Sequence, residues 1–118
     1  MRILILANHS GGLYDFRKDL IAELKKQARV TVAVPHNDRW EELHKLADRV
    51  IELPIDRRGM NPLHDSKLFC QYRSMLKENA PDLVLTYTIK PNIYGGLACR
   101  IAHIPYAVNI TGLGSAIE

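Results

Sequence analysis

The sequence predicts an α/β fold: a doubly wound, three-layer sandwich around a five-stranded parallel sheet in the order 3-2-1-4-5. Three observations carry this. Apolar, β-type runs alternate with segments of helical period, no short turn signal of a hairpin joins two runs, and the chain opens on an apolar run followed at once by a glycine turn. Strands that alternate with helices form parallel sheets through right-handed crossovers. The switch point then lies between strands 1 and 4, where ligands bind in such sheets.

The first run, Arg2-Ile3-Leu4-Ile5-Leu6-Ala7, is long and unbroken enough for a strand buried on both faces. Asn8-His9-Ser10-Gly11-Gly12 supplies the turn, and Leu13, Phe16, Leu20, Ile21, Leu24 and Ala28 then predict one inward helical stripe. Arg29 to Pro35 is a β-branched second strand. Asp38-Arg39-Trp40-Glu41 reads as a capping box opening a short helix to about Ala47, with Leu43, Leu46 and Ala47 inward. Arg49 to Pro54 is a short third strand, followed by a polar connection from Ile55 to Met60.

Asn61-Pro62 signals the start of a long helix, with Asp65 in its first turn. Leu68, Tyr72 and Met75, flanked by Phe69 and Leu76, form its inward stripe, and Ala80-Pro81 ends it. Asp82 to Tyr87 is the fourth strand, a helix follows over about 91–102, and Ile104 to Ile110 is the fifth strand. Gly95-Gly96 inside that helix points to close packing on the sheet rather than to ligand contact.

The length of 118 residues suits one domain over 1–118. Nearly half of the residues are apolar and a quarter charged, an ordinary globular composition. A net charge of +3 is compatible with phosphate-bearing ligands or an anionic membrane surface but too mild to argue for nucleic acid. Cys70 and Cys99 have no metal-binding spacing and read as reduced, mostly buried thiols of a cytoplasmic protein. The opening apolar run stops at Ala7, too short for a signal peptide, and no stretch approaches a membrane span.

In a parallel sheet every carboxyl strand end faces one edge. That edge collects His9, Ser10, Gly11 and Gly12, then His36, Arg57 and Arg58, Thr86, Tyr87, Thr88 and Lys90, and Asn109, Thr111 and Gly112. No comparable set is expected at the opposite edge. Such clustering of polar, partly basic loop residues marks a ligand cleft. A dinucleotide is argued against by Val34-Pro35-His36, which lacks the acid that holds a ribose hydroxyl. A response-regulator pocket is argued against by Ala7-Asn8-His9, which has no acid either. His9 reads as a general base, a sugar-binding group or a plain surface residue. Arg57-Arg58 reads as a phosphate holder or as solvated charge, and Thr111-Gly112 as a site loop or a simple turn.

Four ordered motifs resemble the amino-terminal domain of bacterial family 4 glycosyltransferases, above all those of capsular and exopolysaccharide assembly. They are Asn8 to Leu13, Pro54 to Gly59, Thr86 to Gly96 (which includes Asn92) and Asn109 to Gly114. The resemblance runs over essentially the whole chain. It implies the GT-B architecture of two Rossmann-like domains across a cleft, the first binding the acceptor, often a lipid-linked sugar, and the second binding the nucleotide-sugar donor. By resemblance Gly11 and Gly12 lie against the donor diphosphate. His9, Ser10, Arg57, Arg58, Thr88, Lys90, Asn92, Asn109, Thr111 and Gly112 line the acceptor side of the cleft. Thr111 stands where many relatives carry a histidine, which puts a direct catalytic role at that loop in doubt. The nucleotide-sugar is a substrate, and no cofactor or metal is implied.

The family's paired-glutamate motif of the donor domain is absent. The chain is therefore expected to be the acceptor-side half, without transfer activity alone and partnered by a donor-binding domain. Two alternatives stand beside it: a non-catalytic half that recruits a separate donor-binding protein, and part of a GT-B sugar-nucleotide epimerase. A lipid-linked acceptor implies work at the inner membrane, where Arg17, Lys18, Lys25, Lys26 and Arg29, with Lys67, Arg73 and Lys77, read as contacts to anionic lipid or as a plain solvated surface.

Overall fold

A computed structural model describes residues 1–55 and 61–109. Its elements in chain order are β1 (Arg2–Leu6), α1 (Ser10–Lys25), β2 (Arg29–Val34), α2 (Trp40–Leu46), β3 (Arg49–Glu52), α3 (Pro62–Asn79), β4 (Leu83–Tyr87), a π-helical turn (Pro91–Gly95) continuing into α4 (Gly96–Ala102), and β5 (Tyr106–Asn109). The five strands are parallel in the order β3-β2-β1-β4-β5, as expected.

The pleat explains the two cores. Side chains alternate faces along a strand, so Ile3, Ile5 and Ala7 of the first run face α1 and α2 together with Val30, Val32, Val34 and Tyr87. Leu4 and Leu6 face α3 and α4 together with Ala33 and Val84. Leu68, Tyr72, Met75 and Leu76 of α3 close the second layer, the stripe read from the sequence.

Three expectations about the helices are corrected. Leu13, Ile21, Leu24 and Ala28 do pack inward, but Phe16 is 78% exposed and Leu20 38%. Each helical residue advances about 100°, and the inward arc is centred so that Tyr14 and Arg17 fall within it while Phe16 and Leu20 fall outside. Arg17 uses that place to lie over the Tyr87 ring at 5.2 Å. Asp38 is no N-cap: Arg39 holds that position in the left-handed region (φ 63) without a side-chain cap. Cys70 is exposed, against expectation, while Cys99 is buried and its thiol pKa is pushed up to about 11 by desolvation.

The cap fails because another contact holds this loop. Ser10, fully buried, donates from Oγ to the Asp38 carbonyl at 2.8 Å and accepts from the Asn37 N–H at 2.9 Å. The loop after β2 is thereby stitched onto the turn after β1. A Cβ on Gly11 would stand 3.0 Å from the Asp38 Cβ and 3.2 Å from its carbonyl oxygen, so the stitch needs a glycine there. Gly95 permits a second close approach, because a Cβ would lie 2.7 Å from Leu6 and 3.3 Å from Thr86. The expected packing role of that glycine is borne out.

Two stability predictions follow from this packing. Gly11→Ala forces the stitched loop outward and lowers stability by about 1–3 kcal/mol, whereas Gly12→Ala, whose Cβ meets nothing nearer than 3.7 Å, stays near neutral; urea midpoints measure both. Tyr72 buries a hydroxyl with no partner among the described residues, and burial pushes its pKa up. Tyr72→Phe removes that unsatisfied group, so the same titration should show a gain of up to about 1 kcal/mol and no loss.

Candidate functional site

The carboxyl edge gathers the turns after β1, β2 and β4 and the end of β5, as the strand order requires. His9 is the N-cap of α1: its Nδ1 accepts from the Gly12 N–H at 2.9 Å. With Nδ1 as acceptor, the ring proton of the neutral imidazole sits on Nε2. His9 is thus set up as a donor through Nε2–H, and Nδ1 is not free to act as a base. Gly12 is half-buried beside it, while Gly11 is buried beneath Asp38.

His9, Gly11 and Gly12 line an open depression of about 580 Å³ with Asp15, Asp38 and Arg39. Arg39 is held by Glu42 at 3.2 Å and Asp15 at 3.4 Å. Its pKa is raised, first by the hydrogen bond to Glu42 and then by the charge of Asp15. Asp15 and Arg39 carried no signal in the sequence, since each takes its place only when the β2–α2 loop folds over the first turn of α1.

On the far side of β1, several expected cleft residues have their side chains engaged within the protein. Lys90 Nζ meets Asp65 Oδ1 at 2.8 Å, with only 12% and 15% of the two side chains exposed. Tyr94 donates its hydroxyl to the other oxygen of Asp65 at 2.9 Å, and that hydrogen bond is the main reason its pKa is raised. Thr86 donates to Asn92 Oδ1 at 2.8 Å, Asn92 donates to the Asn109 carbonyl at 2.9 Å, and Asn109 donates back to the Thr86 carbonyl at 3.2 Å. This closed ring ties the ends of β4 and β5 to the π-helical turn. Thr88 stands in the left-handed region (φ 73), and its hydroxyl donates to the Tyr87 carbonyl. A β-branched residue held there is strained, a condition that clusters at functional sites.

Tyr87 is buried, and desolvation raises its pKa against the opposing influence of Arg17. His36 is exposed, stacks on Trp40 at 4.3 Å and approaches Glu52 at 3.4 Å, away from the His9 depression. Arg57, Arg58, Thr111 and Gly112 lie outside the described residues. A second depression, about 310 Å³, opens beside the start of α3 between Ile55 and His64, Lys67 and Gln71. The amino edge departs from expectation: it too holds a polar cluster, in which Arg2, Arg29 and Arg49 meet. Single arginines at strand starts give no signal until the register sets them side by side.

Among solved structures, MurG of Acinetobacter baumannii superimposes with a TM-score of 0.73 at 18% identity, covering 91% of this chain and 34% of that one. The UDP-GlcNAc 2-epimerase of Neisseria meningitidis, solved with UDP-GlcNAc bound, gives 0.67 at 18% identity, covering 92% of this chain and 32% of that one. At such identity these likenesses show the fold alone. A curated Campylobacter jejuni protein, N,N'-diacetylbacillosaminyl-diphospho-undecaprenol alpha-1,3-N-acetylgalactosaminyltransferase, is 33% identical over 117 residues, which cover 98% of this chain. The chain spans 31% of that relative's length. The sequence profile of the glycosyl transferase 4-like family matches residues 2–117, and the chain belongs to that family.

Proposed function

We propose that this chain is the acceptor-side domain of a glycosyltransferase that moves a sugar from a nucleotide-sugar donor to a lipid-linked saccharide in surface polysaccharide synthesis. The observation that carries the reading is the 33% identity, along nearly the whole chain, to a transferase named for an undecaprenol-diphosphate-linked acceptor. The donor is held by a second domain across the cleft, and residues 1–118 alone are inactive. The depression at His9 and Gly12 supports this arrangement. Gly12 presents little bulk, so a donor diphosphate can come close to the first turn of α1, where the helix dipole favours an anion although the Gly12 N–H is itself taken by His9. His9 supplies one further donor through Nε2–H. Lys90 and Asn92 act by holding the β4 end in shape, since their own polar atoms are paired.

A polyprenyl-linked acceptor brings the domain to a membrane surface. No helix among the described residues is long and apolar enough to cross a membrane, and the contact proposed for this domain is made by its surface. The basic residues of α1 are partly occupied: Lys26 pairs with Glu23 at 3.1 Å, Lys25 reaches Asp48 at 4.0 Å and Lys18 lies over Tyr14. Their attraction for anionic lipid is correspondingly modest.

The test uses a chain that carries these residues together with the donor-binding part, an undecaprenyl-diphosphate-linked saccharide and labelled nucleotide-sugars. Gly12→Ala should lower kcat/KM about tenfold or more, equivalent to about 1.4 kcal/mol of transition-state stabilisation, while the urea midpoint stays in place. His9→Asn, which keeps a capping acceptor but loses Nε2–H, should do the same. Transfer unaffected by both substitutions would remove the His9–Gly12 turn from the site. Epimerisation of the free nucleotide-sugar without any acceptor would replace the transferase reading by the epimerase one.

A further inference from the structure

The amino edge of the sheet carries a second polar site, opposite the proposed cleft. Arg2 opens β1, Arg29 opens β2 and Arg49 opens β3. The register sets Arg2 beside Arg29 and Arg49 beside Thr31. Registered partners, and residues two apart on a strand, share a face. All three arginines therefore leave on the face of Leu4, Ala33 and Ile51, toward α3. There they line a depression of about 370 Å³ with Thr31, Glu78 and Asn79. That volume is within the range of small-ligand pockets.

The end of α3 accounts for only part of this charge. Arg2 donates to the Asn79 carbonyl at 3.3 Å and Arg49 to the Asn79 Oδ1 at 3.3 Å, which satisfies acceptors of the last helical turn. A helix C-terminus offers roughly half a negative charge, set here against three guanidiniums. Two neighbouring acids accept hydrogen bonds from the backbone. Asp82 accepts from the Arg2 backbone N–H at 2.7 Å, and Asp48 accepts from the Val30 N–H at 2.8 Å. Among the described residues no carboxylate, Glu78 included, forms an ion pair with Arg2, Arg29 or Arg49. The Arg29 side chain makes no hydrogen bond there at all.

We propose that this depression binds a phosphoryl-bearing anion through Arg2, Arg29 and Arg49. Guanidinium forks match phosphate oxygens in geometry and charge, and Arg29 has its donors free for that purpose. Glu78 in the lining opposes an anion and sets an upper bound on affinity. The phosphoryl group has two possible sources, a free phosphorylated solute and the headgroup of an anionic lipid. The site is independent of the transfer reading, because it shares no residue with the His9–Gly12 turn.

The experiment titrates the 118-residue chain with pyrophosphate, followed by calorimetry and backbone amide shifts. In parallel the chain is sedimented with phosphatidylglycerol–phosphatidylcholine vesicles at low and high salt. Arg29→Gln and Glu78→Gln are carried through every arm. At least one probe should bind in a salt-sensitive way, with pyrophosphate shifts centred on Arg2, Arg29 and Arg49. Arg29→Gln should weaken binding about fivefold or more without moving the thermal midpoint, and Glu78→Gln should strengthen it. Pyrophosphate binding without vesicle binding identifies a solute ligand, vesicle binding without pyrophosphate binding identifies a headgroup, and both together support the shared chemistry. Binding to neither probe, binding indifferent to Arg29→Gln, or shifts confined to Gly11 and Gly12 would overturn the proposal.

Discussion

The structure depends on a central strand that is apolar on both faces and must be held in register by something other than hydrophobicity. In a half-buried strand a one-residue slip turns apolar side chains to water, and that cost pins the register. β1 lacks this safeguard, since Ile3, Ile5, Leu4 and Leu6 are all buried. Polar contacts at its two ends take over. At the amino end Asp82 receives the Arg2 N–H, the Asp82 N–H returns to the Arg2 carbonyl at 2.8 Å, and the Arg29 N–H reaches Met1 at 2.9 Å. At the carboxyl end Ser10 ties the following turn to Asn37 and Asp38. A slip would break both sets at once.

The Ser10 stitch also divides the work between the two adjacent glycines. Both line the depression, but Gly11 is packed under Asp38, where a Cβ does not fit, whereas Gly12 has room around it and donates its N–H to the His9 cap. Two glycines that look alike in the chain therefore serve different ends. The same division holds after β4. There Thr86, Asn92 and Asn109 form a closed polar ring, and Lys90, Asp65 and Tyr94 a second cluster, so that the loop bearing the strained Thr88 is anchored on both sides. Such over-determined surroundings are what permit a β-branched residue to stay at positive φ.

A glycosyltransferase and an epimerase share this fold, so the sheet alone does not select a reaction. The chain belongs to the glycosyl transferase 4-like family, and its carboxyl edge offers little bulk at Gly12 and a ring edge at His9 turned to the depression. The opposite edge has a different character. It carries guanidinium charge at the end of a helix, with Asp82 and Asp48 accepting backbone hydrogen bonds and Glu78 left in the lining.

Periodicity and turn chemistry in the sequence determined the elements, the parallel sheet and its order, because alternation of strand and helix admits few topologies once crossovers are right-handed. The stripe of α3 and the packing of Gly95 were legible for the same reason: both are local patterns against a known face. The cap at Asp38 and the inward place of Phe16 were misread, since the first was overruled by a hydrogen bond from Ser10, 28 residues away in the chain, and the second by the angle at which α1 meets the sheet. Tertiary structure alone decided which polar residues are spent on the protein itself, as with Ser10, Lys90 and Asn92, and which face solvent. It alone brought Arg2, Arg29 and Arg49 together. These positions lie far apart in sequence, and only the ladder register of three neighbouring strands makes them one site.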